Sequence, residues 1–211
     1  VHQKAAVLYR KQARFKLITT GKISQKSLLF EDQHLERLTK ASRYFAYPFD
    51  PEELRQKIEE ECQGCDVNQD YRLRITLSKS GEMELSRQIL TPLSPTFCQA
   101  KLCLQEADLQ TPFTYFKTTH RPHLSLGKQE IIYHNAAGEL LETSIGNLVL
   151  KIAGKLYTPP IRLGILAGIY RQHLLERGQV EEKVLTLKDL AQAEAIYGCN
   201  AVREMYELEV I

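Results

Sequence analysis

Between Tyr71 and Ser78 apolar and polar residues alternate, with Tyr71, Leu73, Ile75 and Leu77 on one side and Arg72, Arg74, Thr76 and Ser78 on the other. A period of two predicts a half-buried strand. Lys79-Ser80-Gly81 supplies a turn, and residues 82–90 return as a second strand. Upstream the period lengthens. Leu35, Leu38, Ser42 and Phe45 form one helical stripe, which predicts a helix over 33–47. Asp50-Pro51-Glu52-Glu53 predicts a second helix start: Asp50 can cap, Pro51 suits the first helical position, and Glu53 stands where a capping-box acid belongs. That helix is expected to reach about Cys62. Residues 15–20 and 22–29 read as a hairpin turning at Gly21, and 101–105 as one more strand.

Helices beside an antiparallel sheet make an α+β layer, here assigned to a first domain over 1–105. Residues 106–112 read as a linker. A β-rich second domain follows over 113–211, with strands at 129–133, 140–143, 147–152, 155–157, 180–186, 195–199 and 204–211. Helices are expected at 167–176, ending at Gly178, and at 187–195.

Composition narrows the class of function. The chain has 211 residues, 43% of them apolar, and a net charge of +2. No basic cluster interleaves with aromatics, so nucleic acid is not an expected partner. No apolar run approaches the roughly 20 residues of a membrane span. No signal peptide is recognisable, and the start at Val1 suggests an excised domain with a basic, linker-like stretch to Arg14. Five cysteines without framework spacing fit a reducing cytoplasm. Cys62-Gln63-Gly64-Cys65 lacks a second pair for zinc and reads as a helix end. His120-Arg121-Pro122-His123 reads as a loop, and no metal is expected.

Chemistry enters with order. Lys117 sits in Phe113-Thr114-Tyr115-Phe116-Lys117-Thr118-Thr119-His120-Arg121, and Glu142 closes a strand–turn–strand over 133–144. Thr158-Pro159-Pro160-Ile161-Arg162-Leu163-Gly164-Ile165-Leu166-Ala167-Gly168 is a glycine-containing loop opening a helix. A lysine, a downstream acid and an anion cradle are what a pyridoxal phosphate site needs: one for the aldehyde, one for the pyridine nitrogen, one for the phosphate. Taken singly, each residue has a plainer reading. Lys117 alone is a snorkelling lysine, Glu142 a solvated strand end, Arg37 a surface partner of Glu36 or Asp32, and Thr20 a β-former before a turn.

At these residues the chain resembles the class IV aminotransferase family, the fold-type IV pyridoxal phosphate enzymes. That family includes branched-chain and D-amino acid aminotransferases and 4-amino-4-deoxychorismate lyases. The similarity runs from about Phe15 to the last residues, with several motifs in the family's order. Phe116-Lys117-Thr118-Thr119-His120-Arg121 is most similar to the His-Lys-Thr-Thr-Asn-Arg-like stretch of lyase domains fused to or encoded beside para-aminobenzoate synthase.

The resemblance implies a small α/β N-terminal domain and a larger β-rich pseudo-barrel. It also implies a homodimer, and a possible synthase component as partner. It makes Lys117 the catalytic lysine and Glu142 the acid. Arg37, in His34-Leu35-Glu36-Arg37-Leu38, becomes a phosphate ligand together with Thr143 and the Gly164, Ile165, Leu166 segment. Thr20 in Phe15-Lys16-Leu17-Ile18-Thr19-Thr20-Gly21-Lys22 becomes a candidate catalytic hydroxyl, and Asn200 and Arg203 substrate ligands.

The chain also departs from the pattern. Ala201 and Glu204 replace the serine and glycine of an Asn-Ser-x-Arg-Gly motif, His120 replaces an asparagine, and the family's opening strand is not recognisable. The implied activity is cleavage of 4-amino-4-deoxychorismate to 4-aminobenzoate and pyruvate. The alternatives are a D- or branched-chain amino acid aminotransferase, or a non-catalytic module of a synthase assembly.

Overall fold

The computed structural model describes residues 15–106 and 111–211. The linker-like start therefore lies outside the described residues, as does most of the expected 106–112 linker. The chain divides into two compact units: the residues up to Thr91 with Phe116–Arg121, and Pro92–Tyr115 with Pro122–Ile211.

In the first unit a four-stranded antiparallel sheet is ordered β2-β1-β3-β4, with β1 at Leu17–Ser24, β2 at Ser27–Leu28, β3 at Tyr71–Leu77 and β4 at Met83–Ile89. The alternation of β3 is realised as expected: Leu73, Ile75 and Leu77 are buried, while Arg72, Arg74 and Thr76 are only partly covered. Helix α1 (Glu31–Phe45) buries Leu35, Leu38, Ala41 and Phe45. Helix α2 (Pro51–Gln63) starts as its sequence requires. The Asp50 carboxylate accepts from the amides of Glu52 at 2.9 Å and Glu53 at 3.4 Å, and Pro51 fills the first position.

The expected hairpin is corrected. Strand β1 runs straight through Gly21, and the turn falls at Gln25 and Lys26, both in the left-handed region with φ of 49° and 60°. Two left-handed residues between paired strands are what a tight two-residue hairpin demands. Gly21 answers a different need: a Cβ there would lie 2.6 Å from His34 Nε2 and 2.7 Å from Leu28 Cδ1. The strand and α1 approach each other across the space a side chain would occupy.

The second unit opens with a turn of helix, α3 (Pro95–Cys98), then β5 (Gln99–Leu104) and a second helical turn, α4 (Pro112–Tyr115). It continues through β6 (Ile131–His134), β7 (Leu140–Thr143), β8 (Asn147–Ile152) and β9 (Lys155–Thr158). Helix α5 (Ile169–Glu176), β10 (Glu181–Glu182), α6 (Leu187–Ala191), β11 (Ala195–Asn200) and β12 (Glu204–Val210) complete it. Hydrogen bonding runs β8-β11-β12-β5-β6-β7 and closes by pairing β7 with β8, so these strands form a barrel with β9 and β10 added outside β8. Ala100, Ile132, Leu140, Leu148, Leu150, Leu185 and Leu208 fill one core cluster.

The division at 105–112 is corrected by pairing. Strand β5 hydrogen-bonds β6 and β12 and belongs to the barrel. Residues 116–121 instead return to the first unit, where Leu17 bridges Thr118. The strand expected over 180–186 is confined to Glu181–Glu182, and α6 is shorter than expected because Gln192 already leaves it.

Gly21→Ala is expected to destabilise the protein by about 1–3 kcal/mol, the usual cost of overpacking. A fall in the denaturant midpoint at unchanged slope would register it.

Candidate functional site

Each unit carries one part of the expected constellation. In the first unit the chain at Lys117 is pinned to β1: the Ile18 amide donates to the Lys117 carbonyl at 3.0 Å, and the Thr119 amide to the Lys16 carbonyl at 2.9 Å. Phe116 packs its ring 4.6 Å from Tyr44 and 5.4 Å from Phe45. Lys117 is therefore held from both sides of its own backbone. Thr118 is the bridge partner of Leu17, so alternation turns Lys117 to the side of Ile18 and Thr20. That side also carries Arg74, paired with Thr20, and Arg72, paired with Lys22.

The electrostatics follow. Burial, and then the guanidiniums of Arg37, Arg121, Arg74 and Arg72, hold the Lys117 amine well below the ordinary lysine range. Burial and Arg121 bring Arg37 down to about 10, so it stays cationic at neutral pH. His34 does not add to the charge. Burial, Arg37 and Lys117 push it down to about 3, and its Nδ1 lies 2.6 Å from the Thr19 hydroxyl. An amine whose charged form is disfavoured in this way is a better nucleophile and proton acceptor, beside cations that attract anions.

In the second unit Glu142 lies next to the last residue of the fully buried β7. Its Oε2 accepts from the Leu166 amide at 3.4 Å, and its Oε1 lies 4.0 Å from His123 Nε2, both side chains being buried. Asn147, first residue of β8, donates to the Leu166 carbonyl at 2.8 Å. The Leu166 peptide is thus gripped from both ends. A Cβ on Gly168 would fall 2.0 Å from Asn147 Oδ1, so only glycine fits where the chain turns into α5.

Gly164 caps a short 3-10 turn with φ of 83°, Ile165 is core, and the Leu166 amide is given to Glu142. Helix α5 begins at Ile169 with Gly168 as N-cap, so the amides lacking an acceptor within the helix are those of Gly168, Ile169, Tyr170 and Arg171. The Thr143 amide and hydroxyl both donate to the Gly146 carbonyl, at 2.9 and 3.2 Å, and close the turn.

Asn200 is a turn residue. Its Oδ1 accepts from the Val202 and Arg203 amides at 2.9 Å each, and its Nδ2 donates to the Ile145 carbonyl at 3.4 Å. Arg203 is half-buried, and burial lowers its pKa. Glu204 stands where the lyase-like motif has glycine and keeps a left-handed φ of 59°, a conformation costly for glutamate. Arg72, Arg74 and Arg121 were not expected from their residue types. The only signal for the first two was their place on the polar side of an alternating strand. Among the described residues no cluster could hold a metal ion, and no helix is long and apolar enough to cross a membrane.

The family model for amino-transferase class IV matches residues 16–211. A provisionally named aminodeoxychorismate lyase of Schizosaccharomyces pombe is 25% identical over 189 residues, 82% of this chain and 80% of that protein. A provisionally named amino-acid aminotransferase of Mesorhizobium loti superposes with a TM-score of 0.81 at 27% identity, over 93% of this chain and all of that one. The pyridoxal phosphate-bound form of a Mycobacterium tuberculosis aminotransferase-like protein shares the fold, with a TM-score of 0.75 at 17% identity, over 92% of this chain and 80% of that one. Pyridoxal phosphate is the cofactor of the family, and a poised amine, a seated carboxylate and an uncapped helix start are residues that fit it. With the match extending over nearly its whole length, the chain belongs to the class IV aminotransferases.

Proposed function

We propose that the protein is a pyridoxal phosphate-dependent 4-amino-4-deoxychorismate lyase, releasing 4-aminobenzoate and pyruvate. The observation that carries this reading is the group of four arginines acting on Lys117. A cofactor phosphate accounts for part of such a cationic surface. A substrate with two carboxylates accounts for the rest better than a simple amino acid does. The similarity to the S. pombe protein supports the same reading.

In this account Lys117 holds the cofactor aldehyde, Glu142 faces the pyridine nitrogen, and Arg37 with the start of α5 takes the phosphate. When bound, the cofactor supplies an electron sink for the amine-bearing carbon of the substrate. Lys117 Nζ, whose charged form is disfavoured, accepts the proton from that carbon. Arg72, Arg74 and Arg121 orient the carboxylates. The Thr20 hydroxyl, on the same side of β1 as Lys117, donates to the departing enolpyruvyl oxygen, and Arg203 adds carboxylate grip. Loss of the side chain leaves an aromatic ring, which makes the elimination strongly downhill. The reading includes a cytoplasmic homodimer and a synthase component as source of substrate.

An amino-acid aminotransferase is the second reading, favoured by the similarity to the M. loti protein. Protein loaded with pyridoxal phosphate and supplied with enzymatically generated 4-amino-4-deoxychorismate is expected to release 4-aminobenzoate and pyruvate in equal amounts. Lys117→Ala is expected to abolish both. Conversion of the cofactor to pyridoxamine phosphate by amino acids, without aminobenzoate, would give the activity to an aminotransferase. Absence of cofactor binding would leave a non-catalytic module.

A pH prediction follows from the charges around the amine. Arg74→Gln removes a cation and is expected to raise the Lys117 pKa. In the cofactor-free protein, the pH at which Lys117 undergoes reductive methylation, read by peptide mass spectrometry, should move upward. An unchanged profile would remove Arg74 from the field acting on Lys117.

A further inference from the structure

Beneath the turn that carries Glu142 lies a second carboxylate, Glu130, with no exposed surface. Its hydrogen-bond donors are two hydroxyls and an amide. Tyr206 donates to Oε2 at 2.8 Å, Ser144 donates to Oε1, and the Ile131 amide lies 3.2 Å from the same oxygen. A buried carboxylate is costly unless its lone pairs are met, so this cluster is built rather than incidental.

Its placement shows what it holds. Ser144 is two residues past Glu142 and is fixed at both ends, its amide to the Ile131 carbonyl at 3.0 Å and its hydroxyl to Glu130. Tyr206 arrives from β12 across two glycines. A Cβ on Gly198 would lie 2.4 Å from the tyrosine ring, and one on Gly146 would lie 3.1 Å from its hydroxyl and 2.5 Å from the Cys199 carbonyl. Three positions are therefore matched to deliver one hydroxyl to Glu130, and one of them, Gly146, lies in the Glu142 turn itself. Burial and the Glu130 charge hold the Tyr206 hydroxyl well above its ordinary range, which favours its role as donor. The far side of the turn is held by Asn147 through Leu166, whose amide Glu142 accepts.

We propose that Glu130, through Ser144 and Tyr206, is the positioning residue that sets the orientation of Glu142 towards the cofactor. Glu130 touches neither substrate nor cofactor. It holds the middle of the turn at Ser144, while Asn147, paired with Glu142 across the turn, holds Leu166, whose amide Glu142 accepts. The inference rests on the reading of Glu142 as the acid facing the pyridine nitrogen.

The test is a titration of pyridoxal phosphate into cofactor-free wild type, Tyr206→Phe, Glu142→Gln and the double variant. Bound-cofactor absorbance is followed across pH, and each cofactor-free protein is melted in parallel. Tyr206→Phe keeps the ring in its glycine cradle and removes only the hydroxyl, so it folds where Glu130→Gln could fail. It is expected to weaken cofactor binding roughly fivefold, within the range of couplings inside one hydrogen-bond network. It should also shift the pH at which the bound absorbance changes. In the Glu142→Gln background the same substitution should weaken binding no further. Losses that simply add, or a Tyr206→Phe protein that binds as wild type while Glu142→Gln binds weakly, would overturn the role of Glu130 and leave Glu142 in place. Wild-type binding by Glu142→Gln would overturn both.

Discussion

Charges of one sign, gathered together, raise the free energy of every member, and the member with the weakest hold on its proton is affected most. In the first unit Lys117 is that member. Burial first, and then the Arg37, Arg121, Arg74 and Arg72 guanidiniums, disfavour the charged form of its amine. The result is a more nucleophilic amine and a surface that attracts anions. Both properties come from one arrangement, in which β1 and β3 pair Thr20 with Arg74 and Lys22 with Arg72 while Lys117 is bonded to β1 through its own carbonyl.

The second unit solves the opposite problem, holding carboxylates inside a barrel. Glu142 takes an amide from Leu166, and Glu130 takes two hydroxyls and an amide. The tight turn from Glu142 to Asn147 joins the two. Thr143 and Gly146 close it, Asn147 ties it to the chain entering α5, and Gly168 and Gly198 leave room where side chains would collide. An acid and a helix start thereby become parts of one rigid device, in which a change at one buried hydroxyl is felt at the acid.

Much of this was readable in the sequence, and what was missed has physical causes. The strands Leu140–Thr143 and Asn147–Ile152, the Asp50 cap and the alternation of β3 were legible because each is fixed by neighbours a few residues away. Gly21 misled because glycine signals a turn and a close approach with equal force, and only the position of His34 decides between them. The domain division was misplaced because the membership of β5 and of Phe116–Arg121 is set by pairing with strands far away in sequence. Thr143 and Asn200 stand out in the sequence by residue type, and that does not reveal the turn hydrogen bonds each also makes. Arg72 and Arg74 look like ordinary polar positions of a strand until the register shows what they share a side with.

The central claim is that the Lys117 amine is set apart from every other amine in the chain. The most direct measurement is to add pyridoxal phosphate to the cofactor-free protein at neutral pH, reduce with borohydride and map the modified peptide by mass spectrometry. The account predicts a single stoichiometric adduct on the peptide containing Lys117. Adducts scattered over surface lysines, with the Lys117 peptide unmodified, would contradict it.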